Sequence, residues 1–152
     1  TPRGSRKPRL DRIPAHMSKD TVVVRKLDKS ECWDFLGRST FARLAYHLRG
    51  HTRIAPINYA LHGQRIIFRT AEGSKFYALK VEDRVALEID EHDAATARSV
   101  VIQGHVSEIL QPEEIKDATV HLLPWLRTEK KHVLAIAVDK ITGREFAITP
   151  HG

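Results

Sequence analysis

Arg53, Arg69, Thr70, Ser74 and Lys75 are the residues of this 152-residue chain best suited to hold an anion. The stretch FRTAEGSKFYAL, residues 68–79, reads as a strand ending in Arg69-Thr70, a short turn, then Ser74-Lys75 opening a helix. A helix N-terminus offers free N–H groups and partial positive charge, so dipole, lysine and arginines would act together on a phosphate. The segments TRIAPINYAL (52–61) and QRIIFRT (64–70) flank His62-Gly63, a tight-turn signal. An antiparallel hairpin there would set Arg53, near the start of one strand, beside Arg69-Thr70 at the end of the other. The same residues also read as solvated strand positions, an N-cap at Ser74 and a surface lysine. Spacing alone leaves both readings open.

Other chemistries find less support. The nine histidines are scattered, and His47 and His51 are separated by a turn at Gly50 rather than stacked on a helix. With no clustered cysteines or carboxylates, no protein-ligated metal is expected. There is no Gly-x-Ser-x-Gly elbow, and Cys32 falls on an apolar helix face, where a buried structural role is expected. EGSK, residues 72–75, lacks the glycine spacing and the Lys-Ser/Thr order of a nucleotide-triphosphate loop.

The elements that must position these residues are mostly strands. LDKSECWDFLG (27–37) is the exception early in the chain: Asp28 can cap a helix, Glu31 completes a capping box, and Gly37 ends it. Cys32, Phe35 and Leu36, at i, i+3 and i+4, would face a core. Strands are expected at 40–48, 52–61, 64–70, 84–90 and 98–110, with a bend or bulge at Gly104. A helix is expected near 74–81, and another at 112–123, opened by a proline and two acids. Two closing strands, near 132–139 and 144–149, would be joined by a turn at Thr142-Gly143. Six or seven short hairpin-linked strands with three short helices predict a mainly β fold, a small antiparallel barrel rather than a doubly wound sheet.

Composition fits one globular domain. Charged residues at 29% and apolar residues at 41% are ordinary for such a chain. The net charge of +6 is mostly local, because residues 1–16 carry five basic side chains against Asp11 alone, a balance of +4. Residues 1–16 are therefore expected to be a basic tail or expression-vector remnant, with PRGS resembling a protease-site scar, and residues 17–152 the folded domain. Nucleic-acid binding would rest on that tail and is not expected of the domain. No apolar run reaches the roughly 20 residues of a membrane span. A single cysteine permits no internal disulfide and suits a reducing cytoplasm.

Four segments, RIAPIN (53–58), FRTAEGSK (68–75), RVALEID (84–90) and RSVVIQGHV (98–106), occur in an order and spacing that resemble the pyridoxamine 5′-phosphate oxidase-like, FMN-binding split-barrel family. The resemblance spans roughly residues 27–146. It implies a homodimeric split β-barrel with FMN bound between subunits and a small-molecule substrate. By position, Arg53 resembles the family's phosphate-binding arginine, and Ile54, Ala55, Pro56, Ile57 and Asn58 would run along the isoalloxazine. Phe68, Arg69 and Thr70 resemble the end of the next flavin-binding strand, Ser74-Lys75 the Ser-basic pair on the phosphate, and Ser99 a polar position near the flavin.

Three departures bear on the reaction. Asn58 stands where the family has a lysine, Lys75 is followed by Phe76 rather than a second basic residue, and the chain closes in ITGREFAITPHG instead of an Arg-Leu-His-Asp-Arg-like substrate segment. The resemblance therefore implies a small actinobacterial-type flavin oxidoreductase rather than a pyridoxamine phosphate oxidase. A deazaflavin-dependent reductase and a non-catalytic flavin- or haem-binding module are the alternatives in the same fold. Flavin chemistry needs no triad, since the ring carries the electrons itself. Trp125 is expected in the core or a dimer interface rather than in a lid.

Overall fold

The computed structural model describes residues 20–122 and 132–150; the basic tail and Trp125 lie outside them. In chain order the elements are β1 (Asp20–Leu27), α1 (Lys29–Arg38), β2 (Phe41–Leu48), β3 (His51–Asn58), β4 (Ala60–His62) and β5 (Arg65–Thr70). After these come α2 (Ser74–Val81), β6 (Arg84–His92), β7 (Thr96–Ile109), α3 (Pro112–Ala118) and β8 (His132–Pro150). The fold is mainly β, and all pairings are antiparallel, as expected. Eight strands form among the described residues instead of six or seven: β1 was not anticipated and the expected 52–61 strand divides in two, while the two expected closing strands are one, β8.

The strand order is β3-β2-β6-β7-β8-β5-β4, with β1 paired to β8 off this path. The two ends of the path, β3 and β4, are consecutive in sequence and separated only by Tyr59. The sheet must therefore curl until its edges meet, although no ladder joins β3 to β5. This is a barrel with one open seam. Pro56 sits on β3, an edge strand, where its missing N–H costs no ladder bond.

β8 holds the barrel together by changing neighbours. Residues 132–137 pair with β5 on one edge, and residues 143–150 pair with β1 on that side. Its other edge runs along β7, with the register shifting at Gln103/Gly104. The shift leaves Asp139 as an extra residue, and the His105 imidazole pairs with its carboxylate. The bend expected at Gly104 is thus a bulge. A Cβ on Gly104 would collide with the Ala137 carbonyl and lie 2.8 Å from Ile136 Cγ2.

No turn forms at Thr142-Gly143, where two strands were expected. Gly143 lies inside the continuous β8 because α1 packs over it: a Cβ there would come within 2.7 Å of Cys32 Sγ. The glycine serves close approach, not chain reversal. On α1 the expected capping box is present, with Asp28 Oδ1 accepting from the Glu31 N–H at 2.8 Å. Arg25 grips the Glu31 carboxylate through two bonds of 2.9 Å. That grip, with the Asp28 amide, holds Glu31 down at about 2. Cys32, Phe35 and Leu36 face the core as expected, but the helix runs one residue past Gly37 and ends where Ser39 Oγ donates to the Phe35 carbonyl. α3 stops at Ala118, well short of residue 123, with Thr119 closing back on the Ile115 carbonyl.

β5 is covered on both faces. Ile66 and Phe68 enter the barrel core, while Ile67 joins Ile109, Ala118, Val133 and Ala135 beneath α3. Each such fully buried side chain contributes about 1.5–3 kcal/mol, which fixes the strand that leads into α2.

Candidate functional site

The phosphate-end candidates follow that fixed strand. Arg69 is exposed at the end of β5 and Thr70 is buried, its hydroxyl only 3.4 Å from the Ala71 carbonyl. Gly73, not Ser74, occupies the N-cap of α2, with φ 150°, a backbone conformation that favours glycine. No side chain of the described residues caps the helix. The first helical bond runs from the Tyr77 N–H to the Gly73 carbonyl, so the N–H groups of Ser74, Lys75 and Phe76 precede the helical ladder. The expected N-cap role for Ser74 is replaced by an exposed first-turn position beside those donors.

The hairpin expected to set Arg53 beside Arg69-Thr70 is too short to do so. The ladder across His62-Gly63 has three pairs, Ala60 with Ile67 to His62 with Arg65, and stops at Tyr59. Arg53 instead pairs with Tyr46 on β2, and α2 packs against β2. β3 and β5 meet across the seam without laddering.

Alternation along β3 sorts the ring-contact candidates. Arg53, Ala55 and Ile57 share the barrel-side face with Tyr46, Leu44 and Ala42. Ile54, Pro56 and Asn58 lie on the outer face with Ala45, Arg43 and Phe41. Phe68 is fully buried, which leaves only its backbone for a ligand. Ser99 is not brought to this group: it lies on β7, three strands from β3 in the sheet order, paired with Asp90 and Arg144.

The seam supplies what the side chains alone do not. Among the described residues, β4 covers β5 only at Arg65–Ile67, so Phe68–Thr70 have β8 on one edge and no strand on the other. Among the same residues β3 has β2 on one edge and likewise no strand on its second. Two half-empty backbone edges therefore face the seam and offer donors and acceptors to a ligand. Asn58 Oδ1, at the end of β3, is buried with no hydrogen-bond partner among the described residues. A flat ligand with a polar rim and a terminal phosphate fits this arrangement: a donor for Asn58, backbone partners along two edges, and cationic donors at α2.

Phe76, where the oxidases have a basic residue, is turned into the core. Its ring stacks on His132 at 3.6 Å and 11°. His132 Nδ1 is 2.7 Å from Glu108 Oε2, and Lys80 Nζ is 2.8 Å from Glu108 Oε1. Lys80 first, then His132, holds Glu108 below the usual carboxylate range. His132 Nε2 lies 3.4 Å from Glu72 Oε1 but without hydrogen-bond geometry, so it remains unsatisfied among the described residues. A charged side chain at 76 would have to enter this packed stack.

Sequence reasoning missed one neighbouring feature. Ser74 opens onto a cavity of about 780 Å³ between α2 and the β2–β3 turn, lined also by Arg49, Tyr77, Ala78 and Val81. The available signal was Arg49-Gly50, noted only as a turn.

Known proteins share this fold. The family model for pyridoxamine 5′-phosphate oxidase matches residues 28–145. A crystal structure of a protein assigned as a pyridoxamine 5′-phosphate oxidase, from Corynebacterium glutamicum, is 31% identical, with a TM-score of 0.74, covering 82% of this chain and 99% of that one. An FAD-binding protein from Mycobacterium smegmatis is 30% identical with a TM-score of 0.68, covering 82% and 98%. An uncharacterized protein of Mycobacterium tuberculosis is 33% identical over 91 residues, 59% of this chain and 83% of the relative.

Proposed function

The chain belongs to the pyridoxamine 5′-phosphate oxidase family, and from that premise we propose that it binds the FMN unit of a flavin and serves as an oxidoreductase on a small substrate. The observation that carries this reading is the seam, whose two unladdered edges run past the orphaned Asn58 acceptor toward the uncapped start of α2. The FAD-binding relative from Mycobacterium smegmatis supports the flavin class.

In this reading the Ser74 hydroxyl and first-turn N–H groups of α2 donate to the phosphate, while Lys75, Arg53 and Arg69 balance its charge. Asn58 Oδ1 accepts a hydrogen bond from the ring's polar rim. Ile54, Ala55, Pro56 and Ile57 align the ring through β3, and the backbone of Phe68–Thr70 closes the opposite edge. The bound flavin supplies hydride or electron transfer, and the chain supplies orientation and electrostatics.

A homodimer belongs to the same proposal, with Ser99 acting across the subunit interface. Phe41, Ile54 and Val101 are 58%, 71% and 39% exposed and stand on one outer sheet face, an apolar surface suited to a second copy. Light scattering on the purified protein should give twice the chain mass; a monomer that retains cofactor would remove the shared-site arrangement. No helix among the described residues is long and apolar enough to cross a membrane, and a cytoplasmic location accords with the free thiol of Cys32.

The deciding experiment is mass spectrometry of the small molecule released on denaturing natively purified protein. A flavin, with yellow protein absorbing near about 450 nm, is the expected result. A deazaflavin or haem in its place would overturn the assignment.

A further inference from the structure

The chain on either side of Gly73, Ser74 and Lys75 touches one imidazole. Before them, Glu72 Oε1 lies 3.4 Å from His132 Nε2. After them, the Phe76 ring stacks on the His132 ring at 3.6 Å. We infer that His132 is a positioning residue for the phosphate end of the cofactor site, and that its Nε2 and the Glu72 carboxylate capture a proton between them when the phosphate arrives. This inference rests on the flavin reading above and extends it to the proton that accompanies binding.

The far side of the ring decides which nitrogen is short of a proton. Glu108 Oε2 is 2.7 Å from Nδ1, and Lys80 Nζ is 2.8 Å from the other oxygen of the same carboxylate. With Lys80 holding Glu108 below the usual carboxylate range, Glu108 is an acceptor and Nδ1 must donate. In the neutral ring Nε2 is then a lone pair, buried and without a hydrogen-bond partner among the described residues. It faces a second acceptor, the Glu72 carboxylate. A proton on Nε2 turns this mismatch into a charge-assisted hydrogen bond, and imidazole is the side chain suited to gaining one near neutral pH.

Few charges surround the ring. The turn between β5 and α2 contributes Glu72, β7 contributes Glu108, and α2 contributes Lys80, whose ammonium also lies 5.1 Å from the Phe76 centroid. The ladder partner on β5 is the uncharged Thr70. Among these groups two carboxylates and one ammonium leave one negative charge, which an imidazolium cancels.

Glu72 immediately precedes the N-cap, Gly73, so a phosphate at the start of α2 arrives beside a carboxylate. Unprotonated, the pair repels it; protonated, the pair is neutral and the turn is tied to the strand below. Phosphate binding and proton uptake therefore favour each other, as linkage requires. Flavin should bind more tightly as pH falls through the range in which the pair gains its proton.

The test is calorimetric titration of cofactor-stripped protein with FMN near neutral pH, in HEPES and in Tris. The difference in heat between the two buffers gives the protons taken up per FMN bound. The unaltered chain should take up about half a proton more than Glu72→Gln or His132→Gln, so its affinity should change about threefold more per pH unit. Ionisation of the FMN phosphate is common to all three proteins and cancels in the comparison. Glu72 is 64% exposed, so Glu72→Gln spares the fold, and its amide can donate to Nε2 in place of the proton. That variant decides the outcome if His132→Gln does not fold. Equal proton counts, with or without a loss of affinity, would reduce His132 to packing and leave the flavin reading standing. Protein that binds no FMN in any form would overturn both.

Discussion

The Tyr59 hydroxyl donates to the Leu36 carbonyl oxygen at 2.7 Å, tying the single residue between β3 and β4 to α1. The Tyr59 N–H also donates to the Thr40 carbonyl at 2.9 Å. The place where the sheet's two ends meet is thus bolted to the helix beneath it. Tyr59→Phe keeps the ring and strands the buried carbonyl, so it should cost about 1–3 kcal/mol in chemical denaturation. An unchanged midpoint would show that the bolt is dispensable.

The same group sets an alkaline limit. Burial pushes the Tyr59 phenol up to about 12, so the folded state favours its neutral form. Stability from this group is complete below the unfolded value near pH 10 and declines as pH rises toward 12. Tyr59→Phe should flatten that decline in melting temperature against pH; an identical slope in both proteins would count against the assignment.

Much of this fold could be read from the chain, and the failures have physical causes. α2 was placed at its observed bounds because a strand end, a glycine and an apolar run coincide there. The α1 capping box was equally legible, being entirely local. The break at Tyr59 was not, since an apolar run like INYAL fits one strand as well as two, and only barrel closure decides. Gly143 misled for a similar reason: a glycine required by a helix more than a hundred residues earlier looks the same as one required by a turn. At the site, the residue types were visible, but Ser74 gave up its cap to Gly73, and Arg49 could be recognised only once the cavity had formed.

Gly143 offers a direct check. Gly143→Ala forces a methyl group against Cys32 Sγ and Leu27, and overpacking of this kind costs roughly 1–3 kcal/mol. Adding Cys32→Ala should recover part of the loss in a double-mutant cycle. Strict additivity would mean that the glycine answers to something other than α1.

Charge at the phosphate end should register in affinity. Lys75→Ala and Arg53→Ala should each weaken flavin binding by roughly 1.5–3 kcal/mol, the range for a hydrogen bond to a charged group. Calorimetry showing no change in both variants would remove the anion from this end of the barrel.

Asn58 should show opposite signs in two measurements. Its unsatisfied buried oxygen is a liability without ligand and a contact with it. Asn58→Leu should raise the melting temperature of the cofactor-stripped protein and weaken flavin binding about tenfold. Loss of both stability and affinity would place Asn58 in the scaffold instead.

The docking of β1 on β8 also sets a schedule for synthesis. Arg25 bonds Glu145 at a sequence separation of 120 residues. At cellular rates of translation, β1 waits roughly 6–24 s on the ribosome before its partner strand exists. Through that interval Val22, Val23 and Val24, still half exposed in the finished fold, have no strand to join. β1 must be kept from joining another nascent chain until β8 has been made.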